Sequence, residues 1–370
     1  MSLEPRPYQQ RIVGKTLQAY DRGLISTLIE SPTGSGKTVM ALSIAREMEK
    51  RGMRIGYVAH RRNLLKQASE ENQEFFGIKN IEFISLFQNQ LPDGINFLIL
   101  DECHHQACNT CVSLLNRVKP KSFLGMTATP FRTDRMQLSF QKVIKDAGIH
   151  ILIQQGFLAP YQHFVIPDFN PVSIAETYIR ERARWGKSVI FFLTTEDCYE
   201  CKRLLGLAGI RAEVVTHETD RDLQLSMFEK GDVDVLINVF ILTEGFDCPP
   251  LKTVFVRPSG RGPSIQMGGR VFRRHETKPW ANIVQCRNTH FSFPQRVRAQ
   301  AEWIWAENQW RSVAGNENVV AVQAKTLKII AESNVTLPEL VRQALNTSRG
   351  ARRLRRSRSS FNDLVQGGEY

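Results

Sequence analysis

Ser31-Pro-Thr-Gly-Ser-Gly-Lys-Thr38 is the stretch around which the rest of the chain is organised. An apolar run of strand-like composition, residues 24–29, precedes it, and residues 39–48 (VMALSIAREM) repeat apolar side chains at helical spacing. A strand, a glycine-bearing turn and a helix in this order can surround a phosphate group. The backbone N–H groups of such a turn and the positive end of the helix both favour an anion.

The residue types inside the turn predict a nucleoside triphosphate as the ligand. Gly34 and Gly36 allow the backbone to approach phosphate oxygens, Lys37 reaches the outer phosphates, and the Thr38 hydroxyl binds Mg²⁺. The full pattern opens with glycine, and Ser31 stands in that place. A polar turn that only caps a helix is therefore the alternative interpretation.

Length and composition indicate an ordinary globular protein of two domains. The chain has 370 residues, of which 42% are hydrophobic and 23% charged. Residues 1–10 are polar and unlike a signal peptide, and no apolar run reaches membrane-spanning length, so we expect a cytoplasmic protein.

The charge balance predicts a polyanionic partner, nucleic acid first. The formal net charge is +12 and the isoelectric point is near 9.5. Part of the excess lies in residues 349–358, which contain six arginines. The alternative for such a run is a solvated, disordered end.

The seven cysteines do not predict a disulfide framework, because their number is odd and no secretory signal is present. Two Cys-x-x-Cys pairs occur, Cys108/Cys111 and Cys198/Cys201, and two histidines, His104 and His105, lie close to the first pair. A shared zinc site is one interpretation. Buried thiols in helices are the default that we adopt.

A pair of acids follows a buried strand and predicts the chemistry of the site. Residues 96–100 (NFLIL) form an apolar strand that ends in Asp101 and Glu102. Asp101 can hold Mg²⁺ through water, and Glu102 can orient the attacking water or take its proton. Packing does not explain two adjacent acids at a strand end, because burying unpaired charge is costly.

The second half of the chain repeats the alternation of strands and helices from residue 188 to residue 274, which predicts a second parallel sheet. Residues 131–156 look polar and irregular, and we place a domain boundary near residue 157. At the end of the second unit, Arg270 and Arg273 lie three positions apart on a predicted helix. They could direct guanidinium groups at a transferring phosphate, or form a surface ion-pair face.

Beyond Gln285 the alternation stops. Residues 296–311 (RVRAQAEWIWAENQWR) predict a helix with Trp303 and Trp310 on one side. We expect these rings to pack on the second unit rather than to stack on bases. A short helix over residues 336–345 is predicted before the arginine-rich tail.

Seven short motifs occur in the order of the superfamily 2 helicase motifs, and together the chain resembles the XPB/RadD-like branch of DExH-box helicases and translocases. They are Arg6-Pro-Tyr-Gln9, Pro32-Thr-Gly-Ser-Gly-Lys-Thr38, the strand into His60-Arg61-Arg62, Asp101-Glu-Cys-His104, Thr127-Ala-Thr-Pro130, Thr243-Glu-Gly-Phe-Asp247 and Gln266-x-x-Gly-Arg-x-x-Arg273.

The resemblance implies an α/β fold of two tandem RecA-like domains, with parallel sheets flanked by helices and ATP bound between them. Residues 1–156 would form the first domain and 157–290 the second, and 291–370 a mainly helical C-terminal extension. The first domain would carry the phosphate loop and the second the arginine-finger helix.

The resemblance also implies a role for each residue that matches a motif. The residues implied to bind ATP, with Thr38 and Asp101 also holding Mg²⁺, are Arg6, Gln9, Thr33, Gly34, Ser35, Gly36, Lys37, Thr38, Asp101, Gly245 and Asp247. Glu102, Gln266, Arg270 and Arg273 would be catalytic. Nucleic-acid contacts would come from His60, Arg61, Arg62, Ser85, Gln88 and Thr243. Thr127 and Thr129 would couple the two sites.

Three functions compete at this point. The preferred one is a monomeric, ATP-dependent helicase or translocase that acts on single-stranded, forked or branched DNA in repair, recombination or replication. The second is an RNA helicase of the same architecture, and the third is a non-catalytic protein or a motor subunit of a larger complex. An intact Lys37, Glu102 and Arg270 argue against a non-catalytic role.

Overall fold

The computed structural model of this chain describes residues 4–88, 90–103, 109–128, 140–243, 246 and 248–313. Two parallel sheets, each flanked by helices, lie within one compact unit. We call the first sheet with its helices the first lobe, and the second sheet with its helices the second lobe.

In the described residues the first sheet has six parallel strands in the order β3-β2-β4-β5-β1-β6. Its strands are β1 (Ser26–Glu30), β2 (Ile55–Ala59), β3 (Ile81–Ser85), β4 (Phe97–Leu100), β5 (Ser122–Thr127) and β6 (Lys142–Ile144). Its helices are α1 (Pro7–Asp21), α2 (Lys37–Lys50), α3 (Arg62–Glu71), α4 (Asn109–Val118) and α5 (Ile149–Gln154). A π-helical turn, Asn72–Phe76, continues α3.

The second sheet has eight described strands in the order β14-β13-β7-β12-β11-β8-β10-β9. They are β7 (Tyr161–Ile166), β8 (Ser188–Phe191), β9 (Ala212–Val215), β10 (Val235–Asn238), β11 (Thr253–Phe255), β12 (Ala281–Cys286), β13 (Ala301–Ala306) and β14 (Gln309–Ser312). The helices are α6 (Pro171–Arg180), α7 (Arg182–Trp185), α8 (Thr195–Leu207), α9 (Arg221–Lys230) and α10 (Arg261–Gly268). All neighbouring strands are parallel except β13 and β14.

The central strands are apolar because both faces of each sheet are covered. Every residue of β2, β4, β8 and β10 is buried, as expected of parallel sheets between helices. The carboxyl ends of parallel strands lie at one edge of a sheet, so the polar residues that follow them gather there. The predicted α/β fold with parallel, helix-flanked sheets is confirmed.

The predicted helix over residues 296–311 is wrong. The chain forms the hairpin of β13 and β14, and β13 adds to the second sheet by pairing with β7. Glu307 and Asn308 make its two-residue turn with φ of 51° and 58°, the left-handed geometry that suits tight hairpins. The described part of the predicted helical extension is therefore a 3-10 turn and a hairpin. Residues 314–370, with the predicted helix at 336–345 and the arginine-rich tail, lie outside the described residues.

The packing predicted for the two tryptophans does hold. Trp310 contacts Phe164 with ring centroids 5.0 Å apart, and Trp303 stacks on the same ring at 6.4 Å. Both tryptophans lie against the core of the second lobe.

Two further expectations need correction. The described part of the segment that looked irregular, residues 140–156, contains β6 and α5, which close one side of the first sheet. In addition, α10 ends at Gly268, a 3-10 turn spans Gly269–Phe272, and Arg273 is extended. Arg270 and Arg273 therefore do not share a helix face.

The domain boundaries remain predictions. Among the residues that the structure describes, no helix combines the length and apolar character that crossing a membrane requires.

Candidate nucleotide site

The phosphate loop joins β1 to α2 and has the backbone that its glycines predict. Gly34 and Gly36 have φ of 79° and 76°, and α2 begins at Lys37. Positive φ is accessible to glycine at little cost but strains other residues. A glycine-bearing turn followed directly by the N-terminus of a helix is typical of anion-binding loops.

Two side chains from α1 hold the loop from outside. Tyr8 donates its hydroxyl to the Ser35 carbonyl at 2.6 Å, and Gln9 Nε2 donates to the same oxygen at 2.8 Å. Gln9 Oε1 in turn accepts from the Arg6 N–H at 2.7 Å. A Cβ on Gly36 would lie 2.4 Å from Gln9 Nε2, so this glycine is also required by close contact.

The two serines of the loop have framing roles. Ser31 and Ser35 share a hydroxyl hydrogen bond of 2.7 Å, and Ser35 Oγ also donates to the Pro32 carbonyl at 2.6 Å. The Ser31 N–H donates to the Thr127 carbonyl at 3.0 Å. Thr127, one of the two predicted coupling residues, thus joins the end of β5 to the first residue of the loop.

The acidic end of the site is formed by Asp101 and Glu102 at the tip of β4. Glu102 Oε1 lies 3.3 Å from Lys37 Nζ, and both side chains are largely buried. The Glu102 N–H donates to Asp101 Oδ1 at 2.9 Å, and Glu102 has a φ of 48°. Burial, and then the charge of Glu102, raises the pKa of Asp101, whereas the positive charge of Lys37 opposes this rise.

A buried hydroxyl that sequence reasoning missed completes this end. Tyr57, in the middle of β2, donates to Asp101 Oδ2 at 3.0 Å. Burial and the negative charge of Asp101 raise the pKa of Tyr57, while a hydrogen bond with Thr38 acts in the opposite direction. Nothing in the apolar strand around Tyr57 indicates that its hydroxyl reaches the site.

The second lobe faces the loop across a narrow cleft. A Cβ on Gly269 would lie 3.0 Å from Thr33 Oγ1, and a Cβ on Gly34 would lie 3.4 Å from Arg273 Cγ. Arg270 Nη1 donates to the Phe246 carbonyl at 2.9 Å. The 3-10 turn Gly269–Phe272 contains Arg270, and we call it the arginine turn. The glycines on both sides of the cleft allow this turn to approach the phosphate loop closely.

The arginine turn is supported from behind by an aromatic ring. Phe293, fully buried, lies against Gly268, where a Cβ would come within 2.3 Å of the ring. The same ring contacts Tyr161 and Phe272 at centroid distances of 5.6 and 5.7 Å.

The loop, the acids and the arginines line one cavity of about 430 Å³, a volume in the range of small-molecule sites. The predicted ATP-site and catalytic residues that line it are Arg6, Gln9, Thr33, Gly34, Gly36, Lys37, Thr38, Asp101, Glu102, Arg270 and Arg273. Sequence reasoning missed the lining residues Glu4, Val39, Leu64, Gln67, Glu71, Gly156, Phe157, Phe246, Pro249, Gly269 and Arg274. Gln266 lies in α10, four residues before Arg270, and is not among the lining residues.

One end of the cavity is aromatic. The Arg6 guanidinium lies over the Phe157 ring at 5.2 Å, and Tyr8 packs on the same ring at 5.3 Å. A planar base could lie beside this group, because aromatic faces favour stacking and cation–π contacts.

A second cavity, of about 370 Å³, lies where the two lobes meet beyond the first. Its lining includes Arg61, Arg62 and Arg221, and it is bridged by Asn63 Nδ2, which donates to Asp222 Oδ1 at 2.9 Å. Burial, and then the charges of Arg61 and Arg270, lowers the pKa of Arg221. Asp220 and Asp222 also line this cavity, so its arginines outnumber its carboxylates by one.

The remaining residues predicted to contact nucleic acid differ in exposure. Arg61 Nη1 donates to the Ile241 carbonyl at 3.0 Å, and its Nε donates to His60 at 3.2 Å. Gln88 is exposed and bonds the Gln90 carbonyl, and the Ser85 hydroxyl accepts from the Phe87 N–H. Thr243 is fully buried, and its hydroxyl donates to the Phe240 carbonyl. All of these roles remain predictions.

Some predicted residues cannot be placed. Gly245, Asp247 and Thr129 lie outside the described residues, as do His104, His105 and Cys108. Cys198 and Cys201 are buried free thiols in α8. Burial raises the pKa of Cys198 to about 12 and also raises that of Cys201.

The acidic end of the site fits a magnesium ion. Thr38 and Asp101 offer a hydroxyl and a carboxylate, the oxygen donors that Mg²⁺ prefers alongside substrate phosphates.

Comparison with known sequences finds a family model and several related proteins. Residues 2–91 and 84–132 match the family model described as "Type III restriction enzyme, res subunit". The chain is 25% identical over 267 residues to a 51.5 kDa protein of a Lactococcus phage (isolate 7-9), covering 63% of this chain and 59% of that protein. It is 24% identical over 349 residues to the candidate ATP-dependent helicase IRC3 of Saccharomyces cerevisiae, covering 75% of this chain and 51% of that protein.

A solved structure shares the fold. The ATP-dependent Type ISP restriction-modification enzyme LlaBIII, bound to DNA, superposes with a TM-score of 0.60 at 17% identity. The match covers 79% of this chain and 28% of that one. The chain thus spans between half and three fifths of the two sequence relatives named here. Its first lobe resembles the res-subunit family, and its two-lobed fold resembles that of a DNA-bound restriction-modification enzyme.

Proposed function

We propose that this protein is a nucleic-acid-dependent ATPase that couples ATP hydrolysis to movement on, or remodelling of, duplex or branched DNA. One observation carries the proposal: a single cavity joins the phosphate loop, Lys37 and Glu102 of the first lobe to Arg270 and Arg273 of the second. A helicase relative and a neighbour bound to DNA support it. The finer assignment to the XPB/RadD-like DExH branch rests on the motif order in the sequence.

The ion pair at the acidic end suggests how the residues act. Lys37 and Glu102 are 3.3 Å apart and partly neutralise each other. A triphosphate in the loop would draw Lys37 to its outer oxygens, and Glu102 would then be available to accept a proton from the attacking water. Thr38 and Asp101 would hold Mg²⁺, which supplies positive charge beside the phosphates.

The second lobe would complete the site only when the cleft is closed. Arg270 and Arg273 approach the loop from the opposite side, and their guanidinium groups suit the charge that builds up on a transferring phosphate. Release of phosphate would remove this bridge, so each cycle would close and open the cleft. The second cavity, which is lined by Arg61 and Arg62, would then shift its grip on a nucleic-acid backbone.

The test is Mg²⁺-dependent ATP hydrolysis with no polymer, single-stranded DNA, branched DNA and RNA in turn. Stimulation by DNA, strongest with a fork or junction, is the expected result. Stimulation by RNA alone would favour the RNA helicase instead. No hydrolysis with any polymer would contradict an autonomous ATPase and favour a subunit that needs a partner.

Two substitutions test the residue roles. Glu102→Gln should retain ATP binding and lose hydrolysis, and Arg270→Ala should slow turnover by about 10³- to 10⁵-fold, the usual range for such an arginine. Arg203→Ala is the matched control, because Arg203 is exposed and pairs with Glu200 one turn away. Near-normal turnover in Arg270→Ala would contradict its assigned role.

A further inference from the structure

The hydroxyl of Tyr57 is buried beside Asp101, at the end of the cavity to which the proposed function assigns Mg²⁺. Tyr57 is fully buried in the middle of β2, and it donates to Asp101 Oδ2 at 3.0 Å. This hydroxyl therefore holds one of the two residues to which the proposed function assigns Mg²⁺.

The direction of this hydrogen bond follows from the chemistry of a phenol. Tyr57 has a single hydrogen, which it gives to Asp101 Oδ2. The other carboxylate oxygen of Asp101 is held by the Glu102 N–H at 2.9 Å.

Both carboxylate oxygens of Asp101 are thus held by hydrogen bonds, one from Tyr57 and one from the Glu102 backbone. We propose that Tyr57 is a positioning residue that sets the orientation of Asp101 before the metal binds. This inference rests on the proposed function, because it presumes that Asp101 serves a nucleotide-bound Mg²⁺.

Packing alone explains the ring but not the hydroxyl. The ring contacts Phe83 at a centroid distance of 5.7 Å, within a strand that is otherwise apolar. Phenylalanine would fill the same volume without placing a polar atom in the core. The hydroxyl instead meets the carboxylate of Asp101, which lines the cavity.

The test is Tyr57→Phe, which removes the hydroxyl and keeps the ring. Binding of a fluorescent ATP analogue is measured in EDTA and across a Mg²⁺ titration, with no hydrolysis needed. In EDTA the affinity should stay within about twofold of wild type. The Mg²⁺ concentration that gives half-maximal enhancement of analogue binding should rise about 10- to 100-fold. This is the usual loss of metal affinity when a group that orients a metal ligand is removed.

The matched control is Tyr20→Phe in the same lobe. The Tyr20 hydroxyl bonds Thr27 at 2.6 Å and the Phe123 carbonyl at 2.9 Å, and it does not line the cavity. This variant should lose stability without any change in the Mg²⁺ titration. Thermal melts of both variants show that each is folded.

The possible outcomes separate this inference from the function on which it rests. A wild-type Mg²⁺ titration in Tyr57→Phe would overturn the inference and leave the function untouched. An equal loss of affinity with and without Mg²⁺ would also overturn it, since the hydroxyl would then shape the loop rather than the metal ligands. If wild type fails to bind the nucleotide analogue at all, the proposed function itself fails.

Discussion

Replacing Gly36 by alanine tests whether Gln9 holds the phosphate loop in place. Gly36 has a φ of 76°, and an added Cβ would lie 2.4 Å from Gln9 Nε2. The amide of Gln9 can move, but only by giving up its bonds to the Ser35 carbonyl and the Arg6 N–H. The substitution therefore combines backbone strain with the loss of a buried contact.

The chain offers a control that isolates the strain. Gly52 also has a φ of 76°, and a Cβ there would meet nothing within 4 Å. Alanine in the left-handed region costs about 1–2 kcal/mol in the free energy of unfolding, which is all that Gly52→Ala should lose. Losing two hydrogen bonds adds about 1–3 kcal/mol. Gly36→Ala should therefore lose about 2–5 kcal/mol.

Thermal melting is the assay, with each glycine variant compared in the wild-type and the Gln9→Ala background. In wild type, Gly36→Ala should melt several degrees below Gly52→Ala, because about 1 kcal/mol lowers Tm by about 2–4 °C in a unit of 150–250 residues. Without the Gln9 side chain, the two should differ little. Equal losses in the wild-type background would refute the idea that Gln9 clamps the loop.

Two further predictions concern the second lobe. Burial lowers the pKa of His163 from 6.5 to about 4. Between these two pH values the unfolded chain binds more protons than the folded one. The free energy of unfolding should therefore fall as the pH drops below 6.5, by about 3 kcal/mol at most. His163→Gln should flatten the dependence of the urea midpoint on pH, whereas the same change at the exposed His150 should not. A steep pH dependence that persists in His163→Gln would show that His163 is not its cause. Burial raises the thiol pKa of Cys198 to about 12 and also raises that of Cys201. Neither thiol should therefore react with iodoacetamide at pH 8 until urea unfolds the lobe. Fast labelling of the folded protein would show instead that the thiols are accessible.

Much of the nucleotide site could be predicted from sequence because its signals are local. Two glycines with a lysine after them specify a turn and a helix start, and Asp101 follows an apolar strand directly. Tyr57 could not be predicted in the same way, because its partners lie on other elements and its own strand is apolar.

The hairpin at the end of the second sheet was missed for a related reason. Trp303 and Trp310 are seven positions apart, which suits one face of a helix, whereas Trp303 and Trp305 with an isoleucine between them suit a strand. Pairing with β7, more than 130 residues earlier in the chain, settles the choice. Such a non-local partner leaves no trace in the local pattern.

The contact between Phe293 and Gly268 restricts which substitutions either position can accept during evolution. The ring occupies the volume that any side chain at position 268 would need. A lineage that enlarges residue 268 must therefore first, or at the same time, reduce residue 293. The segment after β12 matched no recognised motif, yet it cannot diversify independently of the arginine turn that it supports. We therefore expect residues 268 and 293 to change together in related sequences.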